Sequence, residues 1–508
     1  MSRRLLRLCA WIPAFLLTTS LATAEVRLPA LFSDHMVLQA GQADAVWGWA
    51  SPGEKICVSI AGQTKSATAG TDGRWQLRLD PLRAGGPHVL KVQSTNTIRV
   101  RDVLVGEVWL GSGQSNMAMK VANAQDFAQE QAAANLPTLR MFNVERLPIT
   151  TPQADCKGQW QVCTPETVGA FSATAYFFGR PLLNELQVPV GLINSSVGGT
   201  DIAAWTSAEV QQKVPALLAQ MESWKQRDTT FDMAQAKADH ERRMAAWKEA
   251  AKKARAAKRD VPRAPKPPVE PQHDQNRPAN LYNGMIAPLI PYTIRGAIWY
   301  QGEHNSRTPE TGALYSLQLP LLIADWRARW GYDFPFAWVQ LPNFNRTGGG
   351  WEVVRESMLK SLSVKDTGMA ITIDIGDPKD IHPKNKQEVG RRLAMWALAK
   401  VYGKPGASSG PLPASHEIRG QEVCVRFQHA DGGLVAKGGE LRGFVIAGAD
   451  RQWVPAQARI DGQSVIVSSP QVKQPVAVRY AWSDNPDCNL YNGAGLPATP
   501  FRTDEGQP

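Results

Sequence analysis

Between residues 105 and 405 the chain repeats one local pattern, an apolar run followed by a glycine-rich or polar turn and then a helical stretch. Residues 105–110, 139–144, 188–193, 294–300, 336–341 and 369–375 read as strands, and 170–186, 314–330 and 386–402 as amphipathic helices. Recurrence of this kind restricts the fold to the α/β class, with an open, largely parallel sheet carrying helices on both faces. Turns that follow parallel strands all lie at one edge of the sheet, the edge where such folds hold ligands. That edge is where function is to be sought.

The flanks read differently. Residues 25–105 hold short alternating segments at 45–49, 56–60, 75–79 and 88–92, separated by Pro52-Gly53, Gly62, Asp72-Gly73 and Gly85-Gly86-Pro87. This spacing predicts a small β module, and a second is expected over 406–508 from segments at 422–427, 440–447, 464–468 and 476–482. The central domain then spans 106–405, with an insertion at about 206–279. Within it Met233, Ala236, His240, Met244, Trp247, Ala251 and Ala254 fall at helical spacing, and Pro262, Pro265, Pro267 and Pro268 make a stiff connector.

Arg3, Arg4 and Arg7 precede the apolar run 8–17, and Ala22-Thr23-Ala24 fits a small-x-small cleavage site. Residues 1–24 therefore read as a secretory signal peptide, which predicts a periplasmic or secreted protein. No other run is long enough to span a bilayer. In an oxidising compartment Cys156 and Cys163 are expected to pair, leaving Cys57, Cys424 and Cys488, at least one of them a buried thiol. No cysteine has metal-ligand spacing, so neither a metal nor a cofactor is expected. The formal charge of +10 is concentrated between Lys248 and Lys266 and comes without a nucleic-acid motif, so no nucleic-acid partner is expected. The 17 tryptophans suit large β-rich cores, or rings that stack on sugars. Oligomeric state is not encoded in any pattern found.

Four turns at the ligand edge carry chemistry. One bears Ser115, one Gly198-Gly199, one Gln301-Gly302-Glu303-His304-Asn305, and one Asp377-Pro378-Lys379-Asp380-Ile381-His382. A serine hydroxyl is a poor nucleophile until an imidazole takes its proton, and a carboxylate must hold that imidazole. N–H donors must then meet the oxyanion. These residue types are those that a serine nucleophile needs.

Gly-Gln-Ser-Asn-Met at 113–117, Gly-Gly-Thr at 198–200, Trp-Tyr-Gln-Gly-Glu at 299–303 and Asp-Ile-His-Pro at 380–383 resemble the sialate O-acetylesterases of the SGNH hydrolase superfamily. The resemblance extends to Gln-Leu-Pro-Asn-Phe at 340–344, Val-Gly-Arg-Arg-Leu-Ala at 389–394, Asp-Asn-Pro at 484–486 and Asn-Leu-Tyr-Asn at 489–492. It implies a flavodoxin-like SGNH core between two β modules and the removal of acetyl groups from carbohydrate without a metal. It also implies Ser115 as nucleophile, His382 as base, and Ser115 and Gly199 as oxyanion donors, with Gly198 beside them.

Two departures from the superfamily pattern bear on roles. Gln301 stands where an asparagine donor is usual, so Gln301 is expected to donate to the oxyanion, with Asn305 as the alternative. Lys379 stands three residues before the histidine where an aspartate is usual. Asp380 is then the expected orienting carboxylate, with Asp377 and Glu303 as rivals and a Ser-His dyad as a further possibility. Glu303 is equally readable as a brace between turns. Trp205, Tyr282, Asn343 and Phe344 are the expected walls of a sugar pocket. Acetylated xylan or xyloglucan fragments compete with O-acetyl sialic acid as substrate, and a non-catalytic carbohydrate-binding protein is the alternative of another class.

Overall fold

A computed structural model describes residues 25–346 and 348–504, so the leader read at 1–24 lies outside the described residues. The fold is built around β1 (Thr97–Gly113), a strand that crosses from the amino-terminal β region into the central sheet. β2 (Leu136–Asn143), β3 (Val190–Ser196), β4 (Gly296–Tyr300), β5 (Phe336–Val339) and β6 (Thr367–Ala370) complete the sheet. These six run parallel in the order β2-β3-β1-β4-β5-β6. The chain fills one side of β1 with β2 and β3, then the other with β4 to β6, so the strand order reverses beside β1. A crevice opens at such a reversal. Gly113 pairs with Ser196 on one side and Tyr300 on the other, so β1, β3 and β4 end level.

Period-2 alternation divides the sheet's side chains between two cores. Val108, Leu110, Trp299, Phe336 and Trp338 enter one core, and Trp109, Ile298, Tyr300, Ala337 and Val339 the other. Six helices of ten or more residues accompany the strands among the described residues: α1 (Ala173–Leu186), α2 (Pro215–Thr230), α3 (Met233–Ala256), α4 (Pro309–Trp330), α5 (Trp351–Lys360) and α6 (Lys386–Lys400). Tyr315, Leu319 and Trp326 of α4 with Val354 and Met358 of α5 fill the first core. Tyr176 and Phe177 of α1 with Val389, Leu393 and Trp396 of α6 fill the second. The sheet is thus covered on both faces, as the strand and helix alternation predicts.

The first core continues without interruption into the amino-terminal β region through Leu38, Val46, Val58 and Val105. Carboxy-terminal strands such as Glu422–Gln428, Phe444–Ala447, Ser464–Ser468 and Ala477–Tyr480 enclose a separate core of Val425, Phe427, Ile446, Val465 and Tyr480. Arg355 of α5, fully buried, donates to the carbonyls of Leu341, Pro342, Ser483 and Asp484 and so fastens the carboxy-terminal tail to the turn after β5.

The expected Cys156–Cys163 disulfide is not formed; both cysteines are free and buried. Their side chains belong to different cores, Cys156 to the first and Cys163 to the second, and closeness in sequence does not bring them together. The helical seam in the insertion matches the less exposed side of α3: Ala251 and Ala254 are buried and Met244 and Trp247 partly so. Trp247 Nε1 donates to Pro262 O at 2.7 Å, so the proline connector folds back along the helix. No helix among the described residues is long and apolar enough to cross a membrane.

Candidate active site

Ser115 stands where β1 stops. Gly113 has φ +136°, and a Cβ there would lie 2.1 Å from Tyr300 O, so only glycine lets β1 approach β4 this closely and still turn. Gln114 N donates to Tyr300 O at 2.9 Å, and the one-turn helix Ser115–Ala118 then presents a partly exposed hydroxyl.

His382 arrives on an irregular loop that joins β6 to α6. Its Nε2 lies 2.8 Å from Ser115 Oγ. The loop shapes itself through its own acids. Asp377 Oδ1 accepts from Lys379 N at 2.8 Å and Asp380 N at 3.3 Å, and Asp380 Oδ1 accepts from His382 N at 2.9 Å. His382 Nδ1 is 3.6 Å from Asp380 Oδ1, an ion-pair distance too long for a hydrogen bond. Of the three candidate orienting acids, only Asp380 lies beside the imidazole; Asp377 orders the turn, and Glu303 faces Asn116. Burial lowers the His382 pKa below the ordinary histidine value, Asp380 opposes this, and Lys386 and Arg263 reinforce it. A neutral imidazole at neutral pH accepts a proton.

The turn after β3 lies against the serine. A Cβ on Gly198 would sit 3.3 Å from Ser115 Cβ, and Gly199 has φ +70°. Both carbonyls are held from outside by Gln275 Nε2, at 2.9 Å from Gly198 O and 3.3 Å from Gly199 O. The amides of Ser115 and Gly199 donate no hydrogen bond among the described residues.

Gln301 departs from its expected role. Its Nε2 donates to Thr200 O at 2.9 Å and to Asn305 Oδ1 at 2.7 Å, which uses both amide hydrogens. With no N–H left for an oxyanion, Gln301 braces the turns after β3 and β4. Asn305, the alternative donor, is equally engaged: its Nδ2 meets Asp201 Oδ1 and Gln318 Oε1, each at 3.3 Å.

The expected sugar-pocket walls are mostly packing. Trp205 is fully buried, meets Trp299 edge-to-face at 6.1 Å and donates to Thr200 Oγ1 at 3.0 Å. Tyr282 is buried beneath the Arg329 guanidinium. Neither side chain has the exposed face that a sugar would stack on. Asn343 joins Gly376 N, at 2.7 Å, to Asn485 Oδ1, at 2.8 Å, and Phe344 leans on Trp351 at 5.4 Å.

The sequence reading overlooked Asn116 and Lys386, which lie buried behind the serine with Glu303. Burial raises the Glu303 pKa, while Asn116 and Lys386 act against that rise. A signal was present: Asn116 adjoins Ser115, and Lys386 opens the helix that follows the histidine loop. His304 packs against Arg307, whose Nη2 is 2.6 Å from His304 Nε2. Burial first, then the cations Arg307, Arg346 and Lys266, bring the His304 pKa down to about 4.

Comparison with known proteins identifies the family. The family described as carbohydrate esterase, sialic acid-specific acetylesterase, matches residues 105–254 and 272–399. The sialate O-acetylesterase of Rattus norvegicus is 30% identical over 94% of this chain and 94% of its own. That of Homo sapiens is 29% identical over 97% and 96%. The crystal structure of a carbohydrate acetylesterase from Xanthomonas citri superposes with a TM-score of 0.81 at 39% identity, covering 95% of this chain and all of that one. The chain belongs to the sialic acid-specific acetylesterase family of carbohydrate esterases and is a carboxylic ester hydrolase.

Proposed function

We propose that this protein removes O-acetyl groups from carbohydrate through an acetyl-serine intermediate, on a flavodoxin-like SGNH core flanked by two β modules. Ser115 Oγ attacks the acetyl carbonyl while His382 Nε2 takes its proton. The amides of Ser115 and Gly199 donate to the tetrahedral oxyanion; losing one such donor typically costs roughly 100- to 1000-fold in rate. The imidazolium then protonates the departing sugar oxygen, leaving acetyl-Ser115. A water that gives its proton to His382 hydrolyses this ester to acetate and frees the serine. Asp380 stabilises the imidazolium through space from its place beside Nδ1.

The observation that carries this reading is the 2.8 Å contact between His382 Nε2 and Ser115 Oγ at the carboxyl edge of the parallel sheet. The names of the relatives favour O-acetylated sialic acid as the sugar, and the leader at 1–24 favours action in the periplasm or outside the cell. The test is acetate release by the mature protein from O-acetylated sialic acid and, in parallel, from acetylated xyloglucan fragments. Faster release from the sialic acid is expected. Faster release from xyloglucan would move the substrate to plant cell-wall glycan and leave the chemistry in place. Release from neither substrate would remove both sugars and point to another acylated sugar or to a binding role.

A further inference from the structure

Three buried side chains tie the serine turn, the turn after β4 and the histidine loop together. Asn116 Nδ2 donates to Glu303 Oε1 at 2.5 Å and to Ile381 O at 3.0 Å, and Asn116 Oδ1 accepts from Lys386 Nζ at 2.8 Å. Lys386 Nζ gives a second bond to Pro383 O at 2.6 Å and lies 5.3 Å from the Tyr300 ring centroid. The two carbonyls gripped in this way, those of Ile381 and Pro383, flank His382 in the chain.

His382 needs such a grip. The chain from 371 to 385 contains neither helix nor strand, and the bonds from Asp377 and Asp380 fix only its local turns. The grip comes from elements outside the loop: the one-turn helix after β1 supplies Asn116, the turn after β4 supplies Glu303, and the first turn of α6 supplies Lys386. The start of α6 is itself fixed by Asn385, whose side chain accepts from Glu388 N at 3.1 Å.

A fully buried ammonium is a costly way to fill space. Burial pushes the Lys386 pKa down to about 7, against the pull of the Glu303 and Asp380 carboxylates. An apolar side chain of equal length would fill the site without that penalty, but could not hold Asn116 Oδ1 and Pro383 O together. We propose that Lys386 is a positioning residue that, through Asn116 and Pro383, locks His382 Nε2 against Ser115 Oγ. This role rests on the reading of His382 as the base.

The experiment compares wild type, Lys386→Met and the double variant Lys386→Met/Glu303→Gln in acetate release and thermal melting. The double variant removes both buried charges together and keeps a carbonyl oxygen for Asn116. A misplacement near 1 Å costs about 100-fold in rate, so both variants are expected to lose about 10- to 100-fold in kcat, with KM within about twofold of wild type. The single variant is expected to melt lower, and the double to regain that loss while its kcat stays low. Wild-type kcat in either variant, or kcat that recovers in step with melting temperature, overturns the role. Failure of both variants to fold also overturns it, by making the pair a determinant of folding. Ser115→Ala is measured alongside: if it still releases acetate, the failure lies with the Ser115–His382 reading and not with Lys386.

Discussion

The turns around Ser115 and the helical insertion are both rich in polar residues, yet they use them in opposite ways. In the turns, Gln301, Asn305, Asn116 and Glu303 are buried, and most of their side-chain bonds cross from one turn to another. In α3, a helix of 24 residues, only Ala251 and Ala254 are buried, and ion pairs such as Arg242–Asp239 sit along its exposed surface. Buried polar groups must be satisfied and therefore dictate geometry. Exposed pairs are screened by water and dictate little. The insertion touches the site chiefly at its return, where Gln275 holds Gly198 and Gly199 and Asn276 Oδ1 accepts from Asp201 N at 2.9 Å.

This contrast sets the order of expected effects. Ser115→Ala should lose at least about 10⁴-fold in acetate release with an unchanged melting temperature, since a partly exposed hydroxyl is deleted and no core contact goes with it. Gln301→Ala should destabilise by about 1–3 kcal/mol in urea titration, because it strands Thr200 O in the interior and leaves Asn305 Oδ1 with Ile202 N as its remaining donor. A 100-fold rate loss at unchanged stability would instead restore Gln301 as an oxyanion donor. The pH profile offers a finer comparison. As the proposed base, His382 must be neutral to act, and burial holds its pKa below the ordinary value. Wild-type kcat/KM should therefore hold as pH falls through about 6.5 and decline only below it; an acid limb centred higher would contradict the burial of the imidazole. The smallest effect is expected in the insertion: Trp247→Ala should shift stability by about 1 kcal/mol or less and leave kcat within about twofold. A large loss of activity there would mean that the connector shapes the site.

The sheet and its ligand edge were legible because their signals are local. An apolar run that ends in glycine-rich sequence before a serine gives both a strand and its turn; β2 to β5 were read within about three residues of their observed bounds, whereas β1 extends well before the 105–110 read for it. Residues 371–375 were misread as strand: β6 stops at Ala370, and that early stop frees the loop that carries His382. α2 and α5 went unread, α2 because its apolar pattern is weak, with only Leu217 and Trp224 buried, and α5 because it is short. Within the site, Ser115, His382 and the Gly198-Gly199 turn could be read from turn chemistry and resemblance. The commitments of Gln301 and the burial of Trp205 could not. Each depends on what lies across the crevice, Thr200 O for Gln301 and Trp299 for Trp205, and no spacing along the chain encodes those partners. The two cysteines teach the same lesson, since a few residues of chain carry them to opposite faces of one sheet.

The central claim is that Ser115 carries the acetyl group between sugar and water. Rapid quenching of the enzyme with an acetylated sugar, followed by mass spectrometry of its peptides, tests this directly. Acetyl on the peptide that contains Ser115 in the wild type, and none anywhere in Ser115→Ala, is the predicted result. Turnover at the wild-type rate by Ser115→Ala, or acetyl found on a different residue, would contradict it.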